Sequence, residues 1–167
     1  MDAMEAILSR RSIRRYTAET ISPEVIEELL KAAMAAPSAY NVQPWRFIVI
    51  DDHQILDVIP EFHPYAGMLP QAQLAIAVCG DTLVQPDRWM LDCSTAAQNI
   101  LLAAHARGLG AVWVGVYPVS ERMKEIQNLL NLPDHILPLC LISLGHPQEN
   151  KAPSNHYDPA KIHKNQW

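Results

Sequence analysis

Residues 74–79 read Leu-Ala-Ile-Ala-Val-Cys, with no polar side chain at any position. A strand with one face in water alternates apolar and polar residues, so this unbroken run predicts a central strand covered on both faces. The largely apolar, alanine-rich residues 86–107 predict a helix of about 21 residues, roughly 30 Å long. A helix of this kind belongs in the middle of a fold or at a subunit interface.

Shorter patterns complete the prediction of a sheet between layers of helices. Two helices are expected before the first strand, a short one around residues 4–8 and one from Ser22-Pro23 that ends by Pro37. Further strands are expected at 45–50, 111–116 and 137–144, and helices at 51–60 and 120–130. Residues 61–70 are expected to form a mobile loop. The order predicts an α+β or α/β fold in one domain over residues 1–167.

Composition and charge exclude several classes of protein. The net charge of −5 argues against sequence-independent nucleic-acid binding, which needs many Lys and Arg side chains. Three widely spaced cysteines without a CxxC motif favour buried, reduced thiols in a cytoplasmic protein, and the spacing of the histidines predicts no metal site. No apolar stretch approaches the ~20 residues that cross a bilayer, so no membrane association is expected.

The basic segment at residues 9–16, Ser-Arg-Arg-Ser-Ile-Arg-Arg-Tyr, is the first candidate binding site. Guanidinium groups and a hydroxyl hold a phosphate through charge-assisted hydrogen bonds. The alternative is a solvated basic stretch at the end of the first helix, where positive charge favours the helix dipole. The segment alone favours that alternative.

Residues 36–45 are the second candidate, a loop of small residues that carries the carboxamides of Asn41 and Gln43. Each carboxamide offers an acceptor beside donors, which matches the edge of a flavin pyrimidine ring. The alternative is a helix-to-strand connection with Asn41 as a turn residue, and the residues alone leave both open.

The third candidate is the Gly-Leu-Gly-Ala-Val-Trp-Val-Gly stretch at residues 108–115. It lacks the GxGxxG order of a dinucleotide-binding turn, and Gly108 and Gly110 suit a helix end and a tight turn. Gly115 lies within a predicted strand, where a missing side chain can mark the approach of a flat ligand.

Taken together, RRSIRRY, APSAYNVQPWRF, GLGAVWVG and the tail GHPQENKAPSNHYDPAKIHKNQW resemble the FMN-dependent nitroreductase family, specifically its short members, over essentially the whole chain. The resemblance implies an α+β three-layer sandwich with a mostly antiparallel central sheet flanked by helices. It also implies a homodimer with FMN sites at the subunit interface. The polar residues 147–167 lack the apolar pattern of a core of their own, and the family likeness places them as an arm extended onto the partner subunit.

The same resemblance implies which residues bind FMN. Arg10 and Ser12 are expected at the phosphate and ribityl chain, helped by Arg11, and Arg14 near the N1/O2 edge of the flavin. The other expected contacts are Pro37, Ser38, Ala39 and Asn41 from the other subunit, Gln43 near the flavin, and Trp113, Val114 and Gly115 beside N5.

The tail departs from the family pattern. Short relatives often carry Pro-Arg-x-Arg where this chain has Pro153-Ser154-Asn155-His156, so Ser154 and His156 stand where two phosphate-binding arginines are expected. An imidazole is only partly charged at neutral pH, whereas a guanidinium is fully charged. Lys151 is the residue that could compensate.

The implied activity is the reduction of nitroaromatics, quinones or similar small electrophiles by NADH or NADPH, with ping-pong kinetics. No catalytic side chain is expected, and Arg14 is expected to give electrostatic support. Four aromatic or sulfur side chains are candidates for an acceptor pocket or for plain packing: Tyr40, Tyr65, Met68 and Trp89. The alternatives are dehalogenation, flavin fragmentation or azoline oxidation on the same cofactor, a non-enzymatic flavin-binding redox module, and an interaction domain without cofactor.

Overall fold

The computed structural model describes residues 1–167 as five helices and a four-stranded sheet. Every pair of neighbouring strands is antiparallel, in the order β1-β2-β4-β3. The helices are α1 (Ala3–Ser9), α2 (Pro23–Met34), α3 (His53–Phe62), α4 (Trp89–Ala106) and α5 (Ser120–Leu129), and the strands are β1 (Trp45–Ile50), β2 (Leu74–Asp81), β3 (Gly110–Gly115) and β4 (Ile136–Gly145).

Polar side chains set the starts of three helices. The Asp2 carboxylate accepts from the Glu5 amide at 2.9 Å, and the Asp52 carboxylate accepts from the Gln54 amide at 2.8 Å. At α2 the Ser22 hydroxyl accepts from the Val25 amide at 3.4 Å, and Pro23 fills the first helical position, where no amide is needed.

Strand β2 lies between two apolar cores, as its sequence predicts. Ile76 and Val78 face the core shared with α2 and α4, and Ala75 and Ala77 face a second core that includes side chains of α3 and α5. All of β2 is buried. The expected three-layer α+β arrangement, with an antiparallel sheet between helices, is therefore confirmed.

The predicted loop at residues 61–70 begins later than expected, because residues 61 and 62 belong to helix α3, and its mobility stays a prediction. Helix α3 continues to Phe62 with Pro60 in its last turn, and the chain beyond it is packed against the second core. Leu69 is fully buried, and His63 is only 1% exposed and is hydrogen-bonded to strand β3. These contacts join residues that are distant in sequence, so no local sequence pattern predicts them.

The segment that follows α1 is attached to the edge of the sheet. The Ile13 amide donates to the Ala111 carbonyl of β3 at 3.0 Å, and the Thr17 amide donates to the His146 carbonyl at 2.9 Å. Gly110 leaves the space that the Ile13 side chain fills, since a Cβ there would come within 2.6 Å of Ile13 Cγ2. This attachment holds the basic segment against β3.

Cys79, Cys93 and Cys140 are buried and unpaired. Burial raises the pKa of the Cys79 and Cys93 thiols to about 12, so both are neutral at physiological pH. No group of three or more His, Cys, Asp or Glu side chains within residues 1–167 is arranged to hold a metal ion. None of the helices is both long enough and apolar enough to span a membrane.

Candidate functional site

An open cleft of about 760 Å³ lies along the edge of the sheet formed by β3. Its lining includes Val112 to Gly115 of β3 and residues of the chain that follows α3. Its lining residues are Arg14, Arg15, Pro64, Tyr65, Gly67, Met68, Gln71, Val112, Trp113, Val114, Gly115, Arg122, Glu149 and Lys151. Four predicted contacts, Arg14, Trp113, Val114 and Gly115, thus meet in one cavity.

The cleft is positively charged although the whole chain carries a net charge of −5. Three arginines and Lys151 line it against one carboxylate, that of Glu149. The Lys151 ammonium lies 3.1 Å from Glu149 and also donates to the Ser12 carbonyl at 2.7 Å. The three arginines take part in no ion pair within the chain, so their charge is available to a ligand.

Glu149 ties the tail to the basic segment. Its carboxylate accepts from the Arg14 amide at 2.6 Å, and this hydrogen bond, followed by the contact with Lys151, lowers the pKa of Glu149 below its ordinary value. Glu149 and Lys151 also line a second, smaller cleft of about 420 Å³, which Arg11 and Ile13 border as well. The two clefts adjoin at this pair and suit an elongated ligand.

The basic segment carries free hydrogen-bond donors. The Ser12 hydroxyl and the Arg11 and Ser12 amides have no hydrogen-bond partner within the chain. Burial, and then the charge of Arg11, lower the pKa of the Arg10 guanidinium, although an arginine stays charged at neutral pH. Arg10 and Ser12 line neither cleft, but a guanidinium, a hydroxyl and backbone amides are groups of the kind that bind a phosphate.

The Arg11 side chain has a different task from the one its motif suggests. Its guanidinium donates to the carbonyls of Ala152, at 3.0 Å, and Ser154, at 3.3 Å, and also bonds the carbonyls of Leu8 and Arg10. It therefore clamps the first part of the tail onto the chain's own basic segment. The backbone amide of Arg11 remains for the predicted FMN contact.

His63 supports the β3 wall of the cleft, and the sequence interpretation assigned it no role. Its Nδ1 accepts from the Tyr65 amide at 3.3 Å, which places the ring proton on Nε2, and Nε2 then donates to the Gly115 carbonyl at 2.8 Å. Gly115 itself has room on its cleft side, since a Cβ there would meet only the Trp113 indole, at 3.7 Å.

The carboxamide loop, residues 37–44, is a separate structure. Three of its non-glycine residues have left-handed backbone angles: Tyr40 at φ 55°, Asn41 at φ 56° and Gln43 at φ 50°. The Ser38 hydroxyl accepts from the Gln43 amide at 3.1 Å, and the Gln43 carboxamide donates to that of Asn41 at 2.9 Å. The carboxamides of Asn41 and Gln43 are exposed.

A buried carboxylate of α4 holds this loop in place. Asp92 Oδ1 accepts from the Ala39 amide at 3.0 Å, and the side chain is only 6% exposed. The second oxygen, Oδ2, is buried without any partner in the chain. The sequence interpretation missed Asp92 as well, since an acid in the first turn of a helix is common.

The cleft and the carboxamide loop lie at opposite edges of the sheet. The loop leads into β1, the cleft lines β3, and β2 and β4 lie between them. Three strand spacings separate the edges by about 14 Å. No residue of the loop lines either cleft of its own chain.

The other candidates divide between cleft and core. Tyr65 and Met68 line the cleft, whereas Trp89 is buried against Gly80 and Tyr117, and Tyr40 lies exposed on the distant loop. His156 is exposed and lies outside both clefts. The first part of the tail lies on its own chain, so the extension of the arm onto a partner stays a prediction for the exposed distal part.

A serine and a histidine form one further close pair, which does not form a nucleophile. His105 Nε2 lies 2.7 Å from the Ser9 hydroxyl, but that hydroxyl donates its proton to the Glu5 carbonyl at 2.6 Å. The histidine is therefore the donor to Ser9, and it cannot remove the serine proton.

The chain is similar to known proteins in sequence and in fold. The model of the nitroreductase family matches residues 7–67 and 61–146. A protein of Methanothermobacter thermautotrophicus, provisionally named NADH dehydrogenase/NAD(P)H nitroreductase, is 47% identical over all of this chain and 88% of its own length.

Two solved structures share the fold over nearly their whole length. An FMN-dependent nitroreductase of Clostridium difficile superposes with a TM-score of 0.92 at 33% identity, covering 98% of this chain and 99% of the other. A provisionally named nitroreductase of Desulfovibrio desulfuricans, solved in complex with FMN, has a TM-score of 0.85 at 32% identity, covering 100% and 99%.

Proposed function

The chain belongs to the nitroreductase family, and from this premise we propose that it is a homodimeric FMN-dependent oxidoreductase. It takes electrons from NADH or NADPH and reduces nitroaromatics, quinones or similar small electrophiles. The observation that carries the proposal is the β3 cleft, where unpaired arginines collect in an otherwise acidic chain. The FMN-dependent relative and the FMN-bound relative support the choice of cofactor.

The chain's own groups fit the phosphate end of FMN. Arg10 supplies a fixed charge, and the Ser12 hydroxyl with the Arg11 and Ser12 amides supplies donors that nothing in the chain uses. His156 is proposed to add a contact from the tail, which Arg11 brings close by holding Ala152 and Ser154. This donor set matches a phosphate better than it matches an uncharged ligand.

The larger cleft fits the ring end. Trp113, Val114 and Gly115 offer an edge of backbone and a position without a side chain, and Arg14 supplies positive charge on the same cavity. When bound there, FMN supplies two-electron redox chemistry that no side chain of the chain provides. The chain's part is to orient the ring, to hold positive charge beside it and to keep the cleft open to small molecules.

The proposed homodimer brings the two halves of the site together. Pro37, Ser38, Ala39, Asn41 and Gln43 lie at the sheet edge away from the cleft, so they complete a site only on a second copy of the chain. Large apolar side chains of α1 and α4 also remain exposed, including Ile7, Leu8 and Leu91. Exposed apolar surface of this kind is typical of a subunit interface.

The first test is the visible absorption of the purified protein and its titration with FMN, followed by turnover with NADH, NADPH and a panel of acceptors. We expect a yellow protein that reduces nitroaromatics or quinones. A colourless protein that takes up no added FMN would contradict the cofactor. FMN uptake without turnover would favour a redox module.

A subunit-mixing experiment tests the shared site. Ser12→Ala combined with Arg10→Ala disables the cleft half, and Asn41→Ala combined with Gln43→Ala disables the loop half. If the halves come from different subunits, co-expression of the two variants restores about a quarter of the sites, because half of the dimers are mixed and each has one intact site. If both halves belong to one subunit, no FMN binding returns.

A further inference from the structure

One wall of the β3 cleft has no part in the proposed FMN contacts. It is formed by Tyr65, in the chain after α3, and Arg122, in the first turn of α5. The Arg122 guanidinium carbon lies 5.3 Å from the centroid of the Tyr65 ring. This distance is within the range of a cation–π contact, which orients the guanidinium without neutralising it.

The charge of Arg122 is unused within the chain. Arg122 is half-buried, takes part in no ion pair and donates no hydrogen bond to another residue. By contrast, the lysine on the opposite side, Lys151, is paired with Glu149. The one carboxylate of the cleft, Glu149, lies 3.1 Å from Lys151 and forms no ion pair with Arg122, so the guanidinium of Arg122 keeps its fork of donors free for a ligand.

The position of this wall is fixed by a buried side chain. His63, only 1% exposed, joins the Tyr65 amide to the Gly115 carbonyl at the end of β3. The His63 and Tyr65 rings also meet edge to face at 6.3 Å between centroids. The Tyr65 backbone is thereby held at a set distance from β3, and the Tyr65 ring in turn orients Arg122.

We propose that Arg122, oriented by Tyr65, recognises a carboxylate or phosphate group of the small molecule that enters the cleft. The site therefore prefers anionic molecules to neutral ones of the same shape. This inference rests on the proposed reductase function and names the class of molecule that the same cleft selects. The anionic group could belong to an aromatic acceptor or to the nicotinamide donor, and the test separates these sources.

The test compares two acceptors of similar shape, para-nitrobenzoate and para-nitrobenzamide, with Arg122→Met. Loss of the charged donor is expected to lower kcat/KM for the nitrobenzoate about tenfold, while kcat/KM for the neutral amide changes less than about twofold. If Arg122 instead binds an anionic group of the nicotinamide cofactor, kcat/KM for NADH falls about tenfold. Equal changes for the anionic and neutral acceptors, with NADH unchanged, would overturn the proposal.

Two variants control for charge and for structure. Lys124→Met removes the same charge from the same helix at an exposed position outside the cleft, and it is expected to leave all three values unchanged. Arg122→Lys restores the charge without the planar fork and is expected to recover part of the selectivity.

Equilibrium dialysis keeps this inference separate from the proposed activity. If the wild-type protein reduces neither acceptor, the reductase proposal fails, but binding of the two compounds still reports on Arg122. Retention of para-nitrobenzoate by the wild type and its loss in Arg122→Met support the anion site. Equal retention of both compounds by both proteins, together with equal retention of NADH, would refute it.

Discussion

The β3 cleft and the carboxamide loop reach their shapes in opposite ways. The cleft is built on the sheet, where backbone hydrogen bonds to Ala111 and His146 hold the basic segment. Gly110 and Gly145 have no side chain to block its close approach. The loop has three left-handed residues, and its link to the helix layer includes the carboxylate of Asp92. One half is positioned by a regular framework and the other by a few specific contacts.

This difference indicates where each half is vulnerable. FMN binding in the cleft should be lost through changes that push the basic segment away from β3. FMN binding by the loop should be lost when the Asp92 contact or the left-handed backbone angles are removed. Changes at the cleft should lower the free energy of unfolding as well as FMN affinity, because the segments that hold the cleft also pack in the core. Changes in the loop should act mainly on FMN affinity, because the loop is largely exposed.

The largest expected effect is that of Gly110→Ala. The backbone angle of Gly110 is open to any residue, but a Cβ there would lie 2.6 Å from Ile13 Cγ2, so Ile13 or the strand must move. The free energy of unfolding in urea is expected to fall by about 2 kcal/mol. Gly115→Ala is the matched control, with unchanged unfolding but weaker FMN binding, since its Cβ enters open space in the cleft. Similar unfolding curves for the two variants would contradict the conclusion that close packing on the sheet holds the basic segment.

The next effect is that of Asp92→Ala on FMN binding. Loss of a charge-assisted hydrogen bond to the Ala39 amide frees the loop, and FMN affinity is expected to fall about tenfold. Asp92→Asn keeps an acceptor oxygen and should recover most of that loss. Asp87→Ala removes an exposed acid just before α4 and should have no effect. An asparagine variant as weak as the alanine variant would show that the anchor is not this hydrogen bond.

A smaller effect separates the geometry of the loop from its chemistry. Asn41→Gly tolerates the left-handed angle, whereas Asn41→Ala does not, so the two variants should differ by about 1 kcal/mol in the free energy of unfolding. Both lose the carboxamide, and both should bind FMN equally weakly. Thermal unfolding and fluorescence titration with FMN measure the two quantities. If FMN affinity followed stability instead, the carboxamide would have no direct role.

The smallest effect concerns the tail. His156→Arg is expected to tighten FMN binding about threefold at pH 8, where an ordinary imidazole is neutral and a guanidinium is charged. His163→Arg makes the same change at another exposed tail position and should leave FMN affinity unchanged. A titration with no gain for His156→Arg would remove His156 from the phosphate site.

Much of the fold was predictable because its signals are local. The unbroken apolar run of β2, the Ser22-Pro23 start of α2 and the glycine that ends α4 each lie within a few residues of the structure they specify. The packing of residues 63–70 against the core was not predictable, because it comes from contacts of His63 and Leu69 with distant parts of the chain. Polar loop composition does not reveal such contacts.

The candidate site also has features that are local in sequence and features that depend on long-range contacts. The sequence by itself determined the family motifs, the positive charge of the basic segment and the carboxamides of the loop, since these are properties of residue type and spacing. Only the tertiary structure decided that Arg11 clamps the tail, that Asp92 anchors the loop, and that Arg122 faces the cleft without a partner. The physical reason is that a side chain's role depends on which groups lie within hydrogen-bond or ion-pair distance, and here those groups come from remote segments brought together by the sheet.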